Sequence, residues 1–236
     1  MSKDVIIIGA SGHARVIADI VISSGDEIVG FLDDNMDIQG SVIFEDKIVL
    51  GTTKEEDVEK YKDNYFIIGI GSNRVRKLIS EKYPNLKYYT AIHPNAIIGS
   101  NVEIGEGTVL MAGTVINIGT KIGKHCIVNT CSSLDHDNLI EDFVHISPGA
   151  HLAGTVKVME CTWICTGVTV INNITIEKNN IIGAGAVVVK NIEDCNKTYI
   201  GIPAHNINEG DWIWRFWLLR IILVCLMNQE TVDLYI

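Results

Sequence analysis

The sequence predicts an α/β N-terminal domain of the Rossmann-like βαβ type, followed by a parallel β-helix of hexapeptide repeats. Two observations carry this prediction. The chain opens with a strand, a glycine turn, a helix and a second strand. Later, an aliphatic residue stands at every sixth position from Ile92 to Val188, 17 times without a miss. We place the domains at 1–88 and 89–207, with an apolar C-terminal tail at 208–236.

The six-residue period excludes helical structure, because helices repeat every 3.6 residues and bundles every 3.5. Six is a multiple of two, so the aliphatic residues lie on one face of short extended segments. Each unit must stack on copies of itself to bury that face. Three units make one coil, so the repeats form about five and two-thirds coils without an inserted loop. A second row of small residues follows four positions later, broken by Asn138 and Asn180.

The N-terminal strand Val5–Ile8 ends in the turn Gly9–His13, which leads into an amphipathic helix. Such a turn presents backbone N–H groups at a helix start, where the dipole favours an anion such as phosphate. Asp33 and Asp34 follow the second strand, and an acidic residue at this distance commonly binds a ribose hydroxyl. The turn lacks the G-x-G-x-x-G fingerprint, which argues against NAD. A glycine turn needed only for backbone geometry is the alternative.

A further strand, Tyr65–Gly71, precedes a helix that is predicted to end near Lys82. Asn73 stands at the junction of the two. It lies either at the far lip of a nucleotide cleft or at the cap of the helix. The acidic run Lys54–Asp57 predicts a solvated helix start.

Four histidines fall within the repeats at outward positions: His125, His136, His145 and His151. All four should project from the β-helix, where a histidine is usually a solvated surface residue. His136 is flanked by Asp135 and Asp137. A carboxylate beside an imidazole fixes its tautomer and raises its basicity, as a general base requires. Either aspartate can serve the ring.

The formal charge of -10 argues against a nucleic-acid surface. The six cysteines include no Cys-x-x-Cys pair, so we expect buried, reduced thiols, no metal and a cytoplasmic protein. The start of the chain has no signal-peptide pattern. The apolar run Trp212–Met227 is short for a membrane span. It can lie on a membrane surface, cap the last coil, pack on a partner copy or be a foreign tail.

Four segments carry a resemblance to a known family: Asn129–Asn138, Phe143–Pro148, Ile181–Val188 and Gly201–Ala204. They resemble the hexapeptide-repeat acyltransferases, and within them the NeuD/PglD-like group of sialic acid O-acetyltransferases and nucleotide-amino-sugar N-acetyltransferases. The resemblance implies a left-handed β-helix, acetyl-CoA as co-substrate, no metal, and a homotrimer with its active site between subunits. His205 departs from the family, whose members usually have Lys or Arg there.

The resemblance also implies the site residues. His136 is the general base and Asp137 its orienting carboxylate, where close relatives often have Glu. The backbone N–H of Gly154 receives the oxyanion, and the acetyl-CoA contacts are His145, Gly183 and Gly185. The nucleotide-sugar contacts are Gly9, Ser11, Gly12, His13, Asp33, Asp34 and Asn73.

The function expected is direct acetyl transfer from acetyl-CoA to a UDP- or dTDP-linked 4-amino-dideoxy sugar in surface glycan synthesis. O-acetylation of sialic acid or a related sugar is the alternative. A non-catalytic β-helix binding module and a metal site formed by His125, His136 and His145 are more distant readings.

Overall fold

A computed structural model of the chain describes residues 2–207. Residues up to His205 form one compact unit. The tail 208–236, with Cys225 and its candidate membrane contact, lies outside the described residues. Among residues 2–207, no helix has both the length and the apolar character needed to cross a membrane. The boundary predicted between residues 88 and 89 stays a prediction.

The N-terminal elements form one six-stranded sheet with helices packed against it. The strands are β1 Asp4–Ile8, β2 Glu27–Leu32, β3 Val42–Phe44, β4 Lys47–Gly51, β5 Tyr65–Ile68 and β6 Lys87–Tyr88. The helices are α1 Gly12–Ser23, α2 Glu55–Val58 and α3 Asn73–Lys82, with 3-10 turns at Met36–Ile38 and Glu59–Tyr61. The strand order is β3-β4-β2-β1-β5-β6, and β3 alone runs antiparallel to its neighbour.

This strand order creates a crevice at the ends of β1 and β5. The chain leaves β1 for β2 on one side and returns with β5 on the other. In open α/β sheets, ligands bind at the carboxyl ends of the strands at such a switch point. The Gly9–His13 turn follows β1, and Gly69–Asn73 follows β5. Both therefore line the crevice.

The repeats form a parallel β-helix of 17 two-residue strands. They are β7 Ala91–Ile92, β8 Ile97–Ile98, β9 Glu103–Ile104, β10 Val109–Leu110, β11 Val115–Ile116, β12 Lys121–Ile122, β13 Ile127–Val128, β14 Ser133–Leu134, β15 Leu139–Ile140, β16 His145–Ile146, β17 His151–Leu152, β18 Lys157–Val158, β19 Trp163–Ile164, β20 Thr169–Val170, β21 Thr175–Ile176, β22 Ile181–Ile182 and β23 Val187–Val188. Strands β24 Thr198–Ile200 and β25 His205–Asn206 follow.

From β7 to β20, each strand pairs in parallel with the strand three later in the chain, so each coil takes 18 residues. The pairing divides the β-helix into three faces. Face 1 contains β7, β10, β13, β16, β19 and β22, face 2 begins with β8, and face 3 begins with β9. The predicted number of strands and their spacing are confirmed.

From β10 onward, the second residue of each strand is buried in the interior, as the repeat predicts. In the first coil, Ile92 and Ile104 are half-buried and Ile98 is exposed. Leu134, Ile140 and Ile146 are buried in one continuous cluster. Asn138 and Asn180, the two polar exceptions in the second row, also point into the interior. Both are buried, and the Asn138 side chain donates to the Asp135 carbonyl at 2.6 Å and accepts from the Val156 N–H at 2.8 Å. An amide at this position satisfies the Val156 N–H, which an aliphatic residue would leave unpaired.

Helix α1 packs against the N-terminal coils of the β-helix on face 1. Ile17 and Val21 of the helix belong to one buried cluster with Val109 and Ile127, the outward residues of β10 and β13. Four consecutive residues of β1 are fully buried, as expected for a parallel strand covered on both faces. The α/β domain therefore rests on face 1 through an apolar contact.

Candidate active site

His136 and Asp137 form an exposed pair at the corner between faces 2 and 3, after β14. Asp137 adopts a left-handed backbone conformation with φ 57°, which Asp tolerates better than most residues. Its Oδ2 lies 2.9 Å from His136 Nδ1. This hydrogen bond, with smaller contributions from the nearby charges, raises the pKa of His136 above its ordinary value. The ring is thus oriented with its other nitrogen, Nε2, free of Asp137.

Asp135 bonds to other partners than the His136 ring. Its Oδ1 accepts from the His136 backbone N–H and from Asn117 Nδ2, both at 2.8 Å. The Asn117 bond is the main cause that lowers the Asp135 pKa. Asp135 therefore braces the corner backbone, while Asp137 holds the imidazole. The sequence left this choice open.

Two glycines one coil away make room for the pair. A Cβ on Gly154 would lie 2.4 Å from His136 Nε2, and a Cβ on Gly119 would lie 2.4 Å from Asp137 Oδ1. The 18-residue coil explains both, because Gly154 stacks on His136 and Gly119 on Asp137. Sequence reasoning missed Gly119, although the coil length alone could have found it.

The crevice of the α/β domain collects the other predicted residues. Ser11 is the N-cap of α1 without a side-chain cap bond, and Gly12 opens the helix. Gly9 has φ 102°, and a Cβ there would lie 2.8 Å from the Ile70 side chain, so glycine is needed for both conformation and space. These features leave the first N–H groups of α1 facing the crevice.

Both acidic residues after β2 bond to the protein itself. Asp33 accepts from the N–H groups of Ala10 and Asn35, each at 2.9 Å. Asp34 accepts from the N–H and hydroxyl of Thr53 at 2.7 and 2.8 Å. Asp33 thus ties the glycine turn to the end of β2.

His13 and His145 lie near each other where the α/β domain meets face 1. Burial lowers the pKa of His13 to about 4, and the nearby Arg76 charge adds to this. Burial lowers the pKa of His145 to about 3, with contributions from Arg76 and His13. Both imidazoles are therefore neutral at pH 7. Asn129 Nδ2 lies 3.3 Å from His145 Nε2, and Trp163, which sequence reasoning missed, stacks on the His145 ring with centroids 5.7 Å apart.

The expectation that all four repeat histidines are surface residues is wrong for two of them. His145 is covered as described, and His125 is packed between Tyr88 and Phe143, with centroid separations of 4.4 and 5.4 Å. Burial lowers the His125 pKa to about 4. Their side chains do point out of the β-helix, but the α/β domain covers them. His151 is exposed and bonds Ser133 Oγ at 2.8 Å.

Asn73 is not the cap of α3, because Ser72 occupies that position. Asn73 Nδ2 instead donates to the carbonyls of Cys161 and Thr162 on the β-helix, at 3.0 and 3.2 Å. Gly185 has φ 70° and occupies the corner between faces 1 and 2. Gly183 allows close packing, since a Cβ there would lie 2.7 Å from Ile200.

The five described cysteines differ in their exposure to solvent. Cys126 is buried, as predicted, but Cys131 is exposed, and Cys161, Cys165 and Cys195 are half-buried. The expectation of burial is therefore right for Cys126 alone, since an outward corner position exposes the thiol. Residues 2–207 contain no group of three His, Cys, Asp or Glu side chains placed to hold a metal ion.

The predicted site residues thus divide into two groups within one chain. His145 lies on face 1, and His13, in the first turn of α1, lies near it beside the crevice. His136, Asp137 and Gly154 lie at the corner between faces 2 and 3, which is the corner opposite face 1. One chain does not bring the two groups together.

Comparison with known proteins supplies relatives for both domains. The family model described as the PglD N-terminal domain matches residues 4–83. A histidine-to-asparagine mutant of perosamine N-acetyltransferase from Caulobacter crescentus, in complex with CoA and GDP-perosamine, matches with TM-score 0.81 and 31% identity over 87% of this chain and 97% of that chain. The acetyltransferase domain of PglB from Neisseria gonorrhoeae, in complex with acetyl coenzyme A, matches with TM-score 0.81 and 36% identity over 88% of this chain and 100% of that chain.

Two curated relatives match over shorter stretches. GDP-perosamine N-acetyltransferase of Escherichia coli O157:H7 is 29% identical over 127 residues, 53% of this chain and 57% of that protein. An uncharacterized protein of Acanthamoeba polyphaga mimivirus is 36% identical over 104 residues, 44% of this chain and 20% of that protein. The chain thus spans one fifth and just over half of the lengths of these two. The structural matches confirm the predicted fold class.

Proposed function

We propose that this chain, which belongs to the NeuD/PglD-like family of hexapeptide-repeat acyltransferases, transfers the acetyl group of acetyl-CoA to the amine of a nucleotide-linked 4-amino-dideoxy sugar. Two solved relatives that match nearly end to end are complexes, one with CoA and GDP-perosamine and one with acetyl coenzyme A. The single observation in this chain that carries the proposal is the His136 Nδ1–Asp137 Oδ2 hydrogen bond of 2.9 Å. It leaves Nε2 available to accept a proton.

The reaction proposed is direct transfer. The sugar amine attacks the thioester carbonyl as His136 Nε2 takes an amine proton, giving a tetrahedral intermediate. The intermediate collapses by breaking the C–S bond, and the CoA sulfur leaves as a thiol once it regains that proton. Asp137 stabilises the imidazolium formed in between. The N–H of Gly154, beside the ring, is the donor we assign to the oxyanion.

We assign the complete site to two neighbouring copies of the chain within a homotrimer. In one chain, His136 occupies the corner opposite the face that carries His145 and the crevice. A nucleotide-sugar held in that crevice therefore reaches a base only on a neighbouring copy. Closed cyclic assembly repeats such a contact identically around the axis.

The nucleotide and the biological role are also part of this proposal. UDP and dTDP are the nucleotides expected from the sequence, and GDP joins them because relatives bind GDP-perosamine. The role we propose is modification of a sugar destined for a surface glycan. A cytoplasmic location suits the five unpaired cysteines of the described residues.

An acetyl-transfer assay tests the proposal. The protein is incubated with acetyl-CoA and either GDP-, UDP- or dTDP-linked 4-amino sugars or sialic acid, and thiol release and product mass are followed beside the His136→Ala variant. We expect one amino sugar to be acetylated and the variant to lose at least about 100-fold in rate. Acetylation of sialic acid alone would replace this function by the O-acetyl alternative. Nucleotide binding without thiol release would favour a binding module.

A further inference from the structure

Arg76 is the most completely buried charged side chain among the described residues, with 1% of its surface exposed. It lies on α3 and donates five hydrogen bonds. Nε donates to the His125 carbonyl at 3.0 Å, and Nη1 donates to the carbonyls of Ile70 and Gly71 at 3.1 and 2.9 Å. Nη2 donates to Asn73 Oδ1 at 2.9 Å and to the Phe143 carbonyl at 3.0 Å.

The partners of Arg76 come from both domains. Ile70 and Gly71 belong to the loop after β5 that lines the crevice. The other two carbonyls belong to His125 and Phe143, which occupy the same corner in successive coils, both with φ above 50°. Asn73 extends this contact to the next coil through Cys161. One side chain and its neighbour therefore fasten the crevice loop to three coils of the β-helix.

Burying the Arg76 charge costs free energy that its hydrogen bonds must offset. Within residues 2–207, no carboxylate forms an ion pair with it. Burial lowers its pKa to about 10, so the guanidinium remains charged at neutral pH. A buried charge without a counter-ion is tolerated only where hydrogen bonds satisfy every donor. The fork of five N–H groups does this here, and a lysine in its place has three donors and no fork.

We propose that Arg76 is a positioning residue, which locks the loop 70–73 to the β-helix corners and so holds His13 of the crevice beside His145 of face 1. This inference deepens the proposed function, on which its kinetic test rests. Loss of the lock lets the crevice loop move relative to face 1. The nucleotide-sugar then binds less well, whereas the His136 corner, on the opposite side of the β-helix, is unaffected.

Steady-state kinetics of Arg76→Lys and Arg76→Met test this role. We expect the KM for the nucleotide-sugar to rise about tenfold, the effect of losing one or two charged hydrogen bonds, while the KM for acetyl-CoA stays within about threefold. Lys77→Met is the matched control. Lys77 adjoins Arg76 on α3 and also bridges to the β-helix, at 2.7 Å from Glu160, but both side chains of this ion pair are half-exposed. We expect Lys77→Met to leave the KM values for the nucleotide-sugar and for acetyl-CoA almost unchanged.

NMR of labelled histidine rings supplies a test that needs no turnover. In Arg76→Lys, which keeps the positive charge, we expect the His13 and His145 ring signals to shift and broaden, while those of His136 and His151 stay in place. This readout holds even if no amino sugar is acetylated, so failure of the function and failure of the lock are distinguishable.

Three outcomes decide the matter. Folded Arg76 variants with an unchanged nucleotide-sugar KM and unshifted His13 and His145 signals would overturn the proposal. An equal loss in all kinetic constants, with all histidine signals shifted, would reduce Arg76 to general stability. If neither Arg76 variant folds, Asn73→Ala gives the answer, since it removes only the outer part of the lock. We then expect the same pattern with a smaller, roughly threefold, rise in KM.

Discussion

Adding one methyl group at Gly154 should disable the His136 corner without unfolding the protein. In Gly154→Ala the new Cβ would lie 2.4 Å from Nε2, 2.5 Å from Cε1 and 3.0 Å from Cδ2 of the His136 ring, where ordinary contacts begin at 3.4 Å. The ring must therefore move by about 1 Å. A displacement of that size at a catalytic group costs on the order of 100-fold in rate, so we expect kcat/KM to fall about 100-fold.

The fold itself should tolerate this alanine. The φ angle of Gly154 is not in the left-handed region, and the same corner position is held by Ser100, Ile118 and Asn172 in other coils. Replacing glycine by alanine at a compatible site stabilises a protein by about 0.4–1 kcal/mol through the unfolded state. Turning the exposed His136 ring costs about 0.5–1.5 kcal/mol. We thus expect the free energy of unfolding to change by no more than about 1 kcal/mol.

The assay is acetyl transfer at saturating acetyl-CoA, with thermal unfolding of each variant in parallel. Asn172→Ala, one coil further along the same corner, is the control and should keep the wild-type rate. Because alanine at 154 acts through His136, adding it to His136→Ala should cost little more, a non-additivity of about 2 kcal/mol or more. A fully active Gly154→Ala enzyme would refute the reasoning, as would additive losses in the double variant.

Three further predictions follow from the described contacts. His136 must be neutral to accept a proton, so kcat/KM should fall as the pH drops through its raised pKa. Asp137→Asn removes the hydrogen bond that raises this pKa, so the acid limb of the pH–kcat/KM profile should move to lower pH. The plateau value of kcat/KM should fall at least about tenfold. Asn138→Ala should lower the free energy of unfolding by about 1–3 kcal/mol in urea titrations, because it leaves the buried Val156 N–H without its partner, whereas the Asp135 carbonyl keeps the Thr120 hydroxyl. The imidazoles of His13, His125 and His145 titrate at about 4, 4 and 3 in the fold but near 6.5 when unfolded, so the unfolded chain gains protons first and stability should fall between pH 6.5 and 4, by on the order of 2–3 kcal/mol per imidazole.

The repeat region was predictable almost to the residue. A hexapeptide period leaves one choice of which side chains point inward, and each coil repeats the choice made by the last. The same regularity made the His136–Asp137 corner visible, since both residues stand outside the inward rows. The choice between Asp135 and Asp137 depends on corner torsion angles and on Asn117 in the preceding coil, and the structure resolves it.

The contacts between the domains could not be predicted. His125 and His145 are outward in the repeat, and only the docking of the α/β domain buries them. Arg76 has the sequence context of an ordinary helix surface residue. Its partners are backbone carbonyls, which carry no signal in the residue types. Asn73 was placed at the right junction, but its bonds go to the β-helix rather than to the helix cap.

The arrangement of the site across two copies is tested most directly by mixing two inactive chains. Here His136→Ala and His145→Ala are co-expressed with different tags, and the mixed oligomers are isolated and assayed for acetyl transfer. If the base and the crevice come from neighbouring copies, each isolated mixed trimer regains one intact site of its three, about one third of the wild-type activity, whereas each parent remains inactive. Mixed oligomers that are no more active than their parents would contradict the account, because they would show that the two groups of residues do not act together across neighbouring copies.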